Sequence, residues 1–282
     1  MKGFEIERTK EKVFCSMETL PEKILKIPGI AIVAAGSLSC LSSLYDCAKD
    51  IGALDRLFLC RITPVEYSLG KQGKKIWQAV DEACKLNGIR GIIIYASCME
   101  VLTMWDFENE KKKQNFNIPV AILYRGPMVK RFLTPNEEFN DILKNWNLEN
   151  DVVVCSNERK QEKTPLPYFA QKIEELSKKD CDILLFTPGG CRSCLKCLNE
   201  RTLTNVWNTR FTDYSISNGN FGNIVHKIFE NFKGERPLYL LGSAVTNFTG
   251  LDLEKIAFEL RKMGKEVYCE DLLEENLDAR LF

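Results

Sequence analysis

Twelve cysteines in 282 residues, set against a single histidine, make thiol chemistry the first subject of this sequence. The densest group is Cys191-x-x-Cys194-x-x-Cys197. Loop thiolates at that spacing can reach different irons of one compact iron–sulfur cluster. Four thiolates also make a closed tetrahedral zinc site, but zinc motifs usually come as separated C-x-x-C pairs, so zinc is the lesser alternative. No fourth cysteine followed by proline comes soon after Cys197, which argues against a bacterial-ferredoxin module. The charged start MKGFEIERTKEK does not read as an export signal, so a cytoplasmic protein is expected, where disulfides are rare. Metal binding is therefore the expected use of these thiols. Cys60, Cys84 and Cys181 lie in or beside apolar runs and are expected to be small buried hydrophobes instead.

Several other chemistries are weakened by composition. Lys plus Arg equals Asp plus Glu at 39 each, leaving no net field to hold nucleic acid or an anionic membrane. The longest apolar stretches, such as GIAIVAAG and GIIIYA, fall far short of the roughly 20 residues that span a bilayer. Gly70-Lys-Gln-Gly73-Lys-Lys lacks the spacing of a phosphate-cradling loop, so ATP hydrolysis is not expected. The lone His226 lies in the helical stretch NIVHKIFENF and reads as a solvent-edge residue, which disfavours Ser/His and Cys/His catalysis. Tyr67 and Tyr214 each sit beside an acid, and each is a candidate proton donor or, more commonly, a hydrogen-bonded turn residue. The four tryptophans read as core or interface filling.

The cysteines must be positioned by a scaffold, and its pattern is α/β. Short apolar runs bounded by glycine or proline alternate with amphipathic helical stretches, the mark of βα units on a parallel sheet. Strands are expected near 29–34, 56–60, 91–96 and 118–123, with helices near 40–51, 71–87 and 100–115. Further strands are expected near 182–186, 205–209, 237–241 and 265–269.

The second half repeats the first. Gly36-Ser-Leu-Ser-Cys40-Leu-Ser-Ser-Leu44 lies over Gly190-Cys-Arg-Ser-Cys194-Leu-Lys-Cys-Leu198 without a gap. Thr63 to Ser68 echoes Thr212 to Ser215, the span from Ala96 to Asp106 matches Gly242 to Asp252, and Val13 to Ser16 matches Val153 to Ser156. This internal repeat predicts two similar Rossmann-like parallel-sheet domains related by a pseudo-twofold, 1–150 and 151–282, each a cluster-binding half. The polar stretch Asn157 to Thr164, closed by Pro165 and Pro167, reads as a solvated connection.

Ligands of open parallel sheets sit beyond the carboxyl ends of the strands. Cys40 and Cys98 each follow a strand, Cys40 at a helix start whose N–H groups favour a thiolate, and Cys15 precedes the first expected strand. The repeat adds Cys155 and Cys194 as copies of Cys15 and Cys40, with Cys191 and Cys197 as neighbours and Ala244 where a sixth cysteine would stand. Cys155 ends Val-Val-Val-Cys, which is also compatible with a plain buried strand.

The order Cys15, Cys40 in AAGSLSC and Cys98 in YASCMEVLTMWDFE, with EYSLGKQGKK between the last two, resembles the nitrogenase component 1 family, whose relatives include dark-operative protochlorophyllide reductase and nickel-tetrapyrrole reductive cyclase. The resemblance covers the cluster-bearing part only, since each half is far shorter than a family subunit. It implies an oxygen-sensitive iron–sulfur cluster, 4Fe–4S or larger, ligated by Cys15, Cys40 and Cys98 on one side and Cys155 and Cys194 on the other. It further implies an electron donor of the ATP-dependent iron-protein type or a ferredoxin, and pairing with a second subunit or a second copy. A cluster-assembly scaffold or carrier and a zinc-stabilised interaction module are the alternative functions.

Overall fold

The computed structural model describes residues 4–8, 19–126, 129, 132–148, 168–187, 198, 203–211, 223–242 and 250–270. Cys15, Cys155, Cys191, Cys194, Cys197, Tyr214, Ala244 and the connection at 157–164 lie outside the described residues. The chain gathers into two compact units, one drawn from Ser16–Pro165 and the other from Leu166–Asn276 together with Met1–Cys15.

The first unit is a parallel sheet of β2 (Ile30–Gly36), β3 (Leu57–Arg61), β4 (Gly91–Ala96) and β5 (Val120–Tyr124), in the order β3-β2-β4-β5. Ile32 stands opposite Leu57, Ile30 opposite Gly91 and Ile92 opposite Val120. The central strands β2 and β4 are buried along their whole length, as continuous apolar runs covered on both faces should be. Ile30, Ile32 and Ala34 share one face with Leu59, Ile93, Tyr95 and Leu123, the period-2 alternation of a pleated strand. Onto that face pack α1 (Leu20–Leu25), α2 (Leu38–Asp50) and α7 (Pro135–Asn145), through Ile24, Leu25, Leu41, Leu44, Phe139 and Leu143. Against the sheet also lies α4 (Gln72–Cys84), whose buried stripe Ile76, Trp77, Val80 and Ala83 recurs at helical spacing and meets β2, β3 and β4. Each fully buried side chain of this size contributes about 1.5–3 kcal/mol, so these apolar stripes fix the helices in place.

A short helix after β3 and a break in an expected helix depart from the sequence pattern. After β3, α3 (Pro64–Ser68) starts on a capping box in which Thr63 Oγ1 accepts from the Glu66 backbone N–H and Glu66 accepts from Thr63 N at 2.7 Å. The helix expected over 100–115 is instead α5 (Cys98–Leu102) and α6 (Phe107–Lys111). Between them Met104 takes a left-handed conformation (φ 54°), Thr103 Oγ1 bonds back to Met99 O at 2.8 Å, and Asp106 caps the new helix through Asn109 N.

The second unit repeats the strand order. Its parallel strands β6 (Asp182–Phe186), β7 (Val206–Phe211), β8 (Leu238–Gly242) and β9 (Val267–Glu270) run β7-β6-β8-β9. Its helices are α8 (Tyr168–Ser177), α9 (Ile224–Asn231) and α10 (Leu253–Lys262), and Ile173 and Leu176 of α8 meet Ile183, Leu185, Val206 and Leu241. The fold is therefore α/β with two Rossmann-like sheets of one topology. A strand absent from the sequence reading, β1 (Phe4–Arg8), adds to β7 antiparallel, with Phe4 opposite Phe211 and Arg8 opposite Trp207. The Arg8 guanidinium clamps this edge, donating from Nε to Thr204 O at 2.7 Å and lying over the Trp207 ring. Among the described residues no helix is long and apolar enough to cross a membrane.

Candidate metal centre

In a sheet of order β3-β2-β4-β5 the chain first winds to one side of β2 and then to the other. The crevice beyond the carboxyl ends of β2 and β4 is thus the topological switch point, where ligands of open α/β sheets bind. Two of the expected ligands lie there. Cys40 is the third residue of α2 and Cys98 the first of α5, and their strands end in register with Ala35 opposite Ala96. Glycine keeps the approach close. A Cβ on Gly36 would stand 3.0 Å from Ser97 Cβ and 3.4 Å from Cys40 Cβ. Gly126 (φ 111°) lies just past β5, and a Cβ there would stand 3.1 Å from Cys98 Cβ and 3.3 Å from its sulfur.

The environment of Cys98 is set by burial. Its thiol is pushed up to about 12 by desolvation, with further upward pressure from Cys40 and Glu100, while the Arg125 charge and its own backbone N–H pull the other way. For this residue burial outweighs a helix start, so the thiol stays protonated at neutral pH. Cys40 is half-buried.

Behind the cysteines lies a buried polar knot. Glu100, fully buried in α5, accepts from Ser97 N and Ser97 Oγ, both at 2.7 Å, and from Tyr67 Oη at 2.5 Å. Ser97 Oγ in turn accepts from Met99 N, closing a capping box around the first turn that carries Cys98. Burial raises the Glu100 carboxyl above its ordinary range against the pull of these donors, and burial together with Glu100 raises the Tyr67 phenol. Tyr67 is thus hydrogen-bonded, but to an acid 33 residues away; Glu66, the acid beside it in sequence, pairs with Lys75 at 2.9 Å.

Arg125 follows directly after β5 and reaches across to the site. Its backbone N–H donates to Ala96 O at 2.8 Å, its Nη1 donates to Cys40 O at 2.7 Å, and its guanidinium lies 5.1 Å from the centre of the Tyr95 ring. Its Nε and Nη2 atoms are buried and, among the described residues, have no hydrogen-bond partner. Sequence reasoning missed Arg125 and Glu100. A charged residue ending the apolar strand VAILY, and Glu three residues after Ser97, were the available signals.

The remaining expectations divide. Cys60 and Cys181 are buried, and Cys60 is pushed up to about 12 by desolvation, as inert core thiols should be. Cys84 is a correction: it is only half-buried, because it ends α4 where the helix emerges from its packed stripe. It stands at the end of the helix that leads from β3 back toward the start of β4. Cys47 lies seven residues past Cys40, roughly 10 Å along the helix, and contacts Thr19 Oγ1. His226 is exposed as expected. Among the described residues no group of three or more His, Cys, Asp or Glu side chains is placed to hold a metal ion, so these residues alone do not complete a site. The two thiols are soft donors, and the guanidinium edge left without a partner among the described residues is what a thiolate-bound, negatively charged group would meet here.

No family model and no curated protein matches this chain. A solved structure of nitrogenase Cp1 at pH 6.5 aligns with a TM-score of 0.32 and 9% identity, over 90% of this chain and 76% of that one.

Proposed function

We propose that the chain holds an iron–sulfur cluster at the carboxyl edge of its N-terminal sheet and serves as the electron-carrying component of a nitrogenase-like oxidoreductase. The observation that supports this reading is the placement of Cys40 and Cys98 after the two strands that flank the switch point, with glycines packed against both. Cys15, Cys155, Cys191, Cys194 and Cys197 are the proposed further ligands. In the second sheet β6 and β8 are the corresponding strands, and the sequence puts Cys191, Cys194 and Cys197 directly after β6.

When bound, the cluster would take up and release single electrons. The chain's own residues prepare that role. Ser97, Glu100 and Tyr67 fix the first turn of α5 and so the backbone of Cys98. Burial of Cys98 keeps water from one ligand, and its proton leaves when metal binds. The proposed electron donor is an ATP-dependent iron-protein-type reductase or a ferredoxin, since this sequence carries no phosphate-cradling loop of its own.

The deciding experiment is anaerobic purification with iron, sulfide and zinc counted per chain. Iron and sulfide in comparable amounts are expected, with visible absorption abolished by Cys40→Ala or Cys98→Ala and kept in Cys84→Ala. Zinc without sulfide would refute the proposal. A cluster that leaves with an acceptor protein instead of turning over under a supplied reductant would make the chain a carrier.

A further inference from the structure

Arg125 holds a charge for which the described residues supply no ion-pair partner. One corner of the guanidinium is committed, with Nη1 on the Cys40 carbonyl at 2.7 Å, and its plane is held over Tyr95. The opposite edge, Nε and Nη2, is buried and, among the described residues, unpartnered. That edge is the side-on fork with which arginine donates two parallel hydrogen bonds to an anion. The nearby carboxylate cannot fill it, because Glu100 is taken up by Tyr67 and Ser97. A half-buried guanidinium with two buried, idle donors calls for an anion, and the groups beside it are the two cysteines, Cys40 through its carbonyl and Cys98 through the arginine's charge.

Resting on the cluster reading above, we propose that Arg125 is the built-in counter-charge of the bound cluster: its Nε–Nη2 edge donates to cluster sulfur and raises the reduction potential. A thiolate-ligated cluster gains one negative charge when one electron enters, with no bond made or broken and no proton required. Donors and positive charge at the sulfurs therefore favour the reduced form. The residue positions charge and does not react.

The test is a dithionite titration of the anaerobically reconstituted protein, followed by visible absorption, for wild type, R125K and R125Q. R125Q is expected to keep its iron and sulfide while its ratio of reduced to oxidised cluster at a fixed potential falls about tenfold, which is about 59 mV for one electron. R125K, with the charge but not the fork, should fall between the two. An unchanged midpoint in R125Q overturns the proposal. Should R125Q fail to fold, R125K decides: a lowered midpoint supports the proposal and a midpoint equal to wild type overturns it.

A wild-type chain that takes up neither iron nor sulfide sinks the cluster reading itself. Arg125 is then read in the metal-free chain, from the rates at which anionic iodoacetate and neutral iodoacetamide alkylate Cys40. A severalfold drop in their ratio on R125Q keeps Arg125 as an anion-receiving group beside the thiols. An unchanged ratio overturns that role as well.

Discussion

Tyr67→Phe isolates one atom of the knot behind Cys98. The hydroxyl donates to Glu100 Oε1 at 2.5 Å, Tyr67 is 4% exposed and Glu100 is 0% exposed, so no solvent is at hand to replace the lost donor. Orphaning a buried acceptor costs about 1–3 kcal/mol, and the hydroxyl-sized void adds little, so a loss of about 2 kcal/mol is expected. With a urea dependence of about 2 kcal/mol per molar, the unfolding midpoint of the first unit should fall by about 1 M. Urea titration followed by tryptophan fluorescence, in a Trp207→Phe background that silences the second unit, reads this unit, whose Trp77 and Trp105 lie 6.2 Å apart near α5. The control is the same change made in Glu100→Leu, where Tyr67 has lost its acceptor and its removal should cost nothing. A loss below about 0.5 kcal/mol, or an equal loss in both backgrounds, would refute the claim that the Tyr67–Glu100 bond fixes the start of α5.

Three further outcomes follow from other groups. Gly126→Ala sets a side chain at φ 111° and against the Cys98 sulfur, so it should cost about 1–3 kcal/mol in urea unfolding and lower cluster loading, whereas equal stability and loading would show that this approach is not needed. Burial opposes ionisation of Glu66, but the Thr63 backbone N–H, Lys75 and the Thr63 hydroxyl outweigh it and hold the carboxyl below its ordinary value of 4.5. Its contribution is therefore present above pH 4.5 and lost as pH falls through the depressed value, so wild type and Glu66→Gln should differ in stability near neutrality and converge in acid; a pH-independent difference would contradict this. Lys265→Met leaves the carbonyls of Gly234 and Arg236 without their ammonium donor and should cost about 1–3 kcal/mol, read as a lowered melting temperature of the second unit alone.

Legibility in the sequence followed the length scale of the forces. The central strands β2 and β4 are visible as apolar runs because a strand covered on both faces must be apolar throughout, and both are buried end to end. The placement of Cys40 and Cys98 was legible for the same reason, since strand ends and the residues after them can be counted. The knot was not, because Glu100 and Tyr67 meet only after β3 and β4 are brought onto the same sheet on either side of β2. Arg125 likewise joins a strand end to a carbonyl 85 residues away, a distance no local pattern encodes. The break at Met104 was hidden because Thr103, Met104 and Trp105 carry no glycine or proline to announce it. β1 escaped notice because FEIER alternates with charged residues and looks like a solvated arm.

That first strand sets a schedule for synthesis. Phe4–Arg8 leaves the ribosome about 200 residues before its hydrogen-bonding partner β7 is made. Against a hairpin loop of about 25 residues, three doublings of loop length add only about 2 kcal/mol of closure entropy, so the delay is mainly one of time. Until β7 emerges, a five-residue strand waits with both edges bare, and until β1 docks, β7 offers an open edge to any nascent chain nearby. The alternating charges of Glu5, Glu7 and Arg8 suit such a wait, because they keep the idle arm soluble and discourage it from joining the wrong sheet.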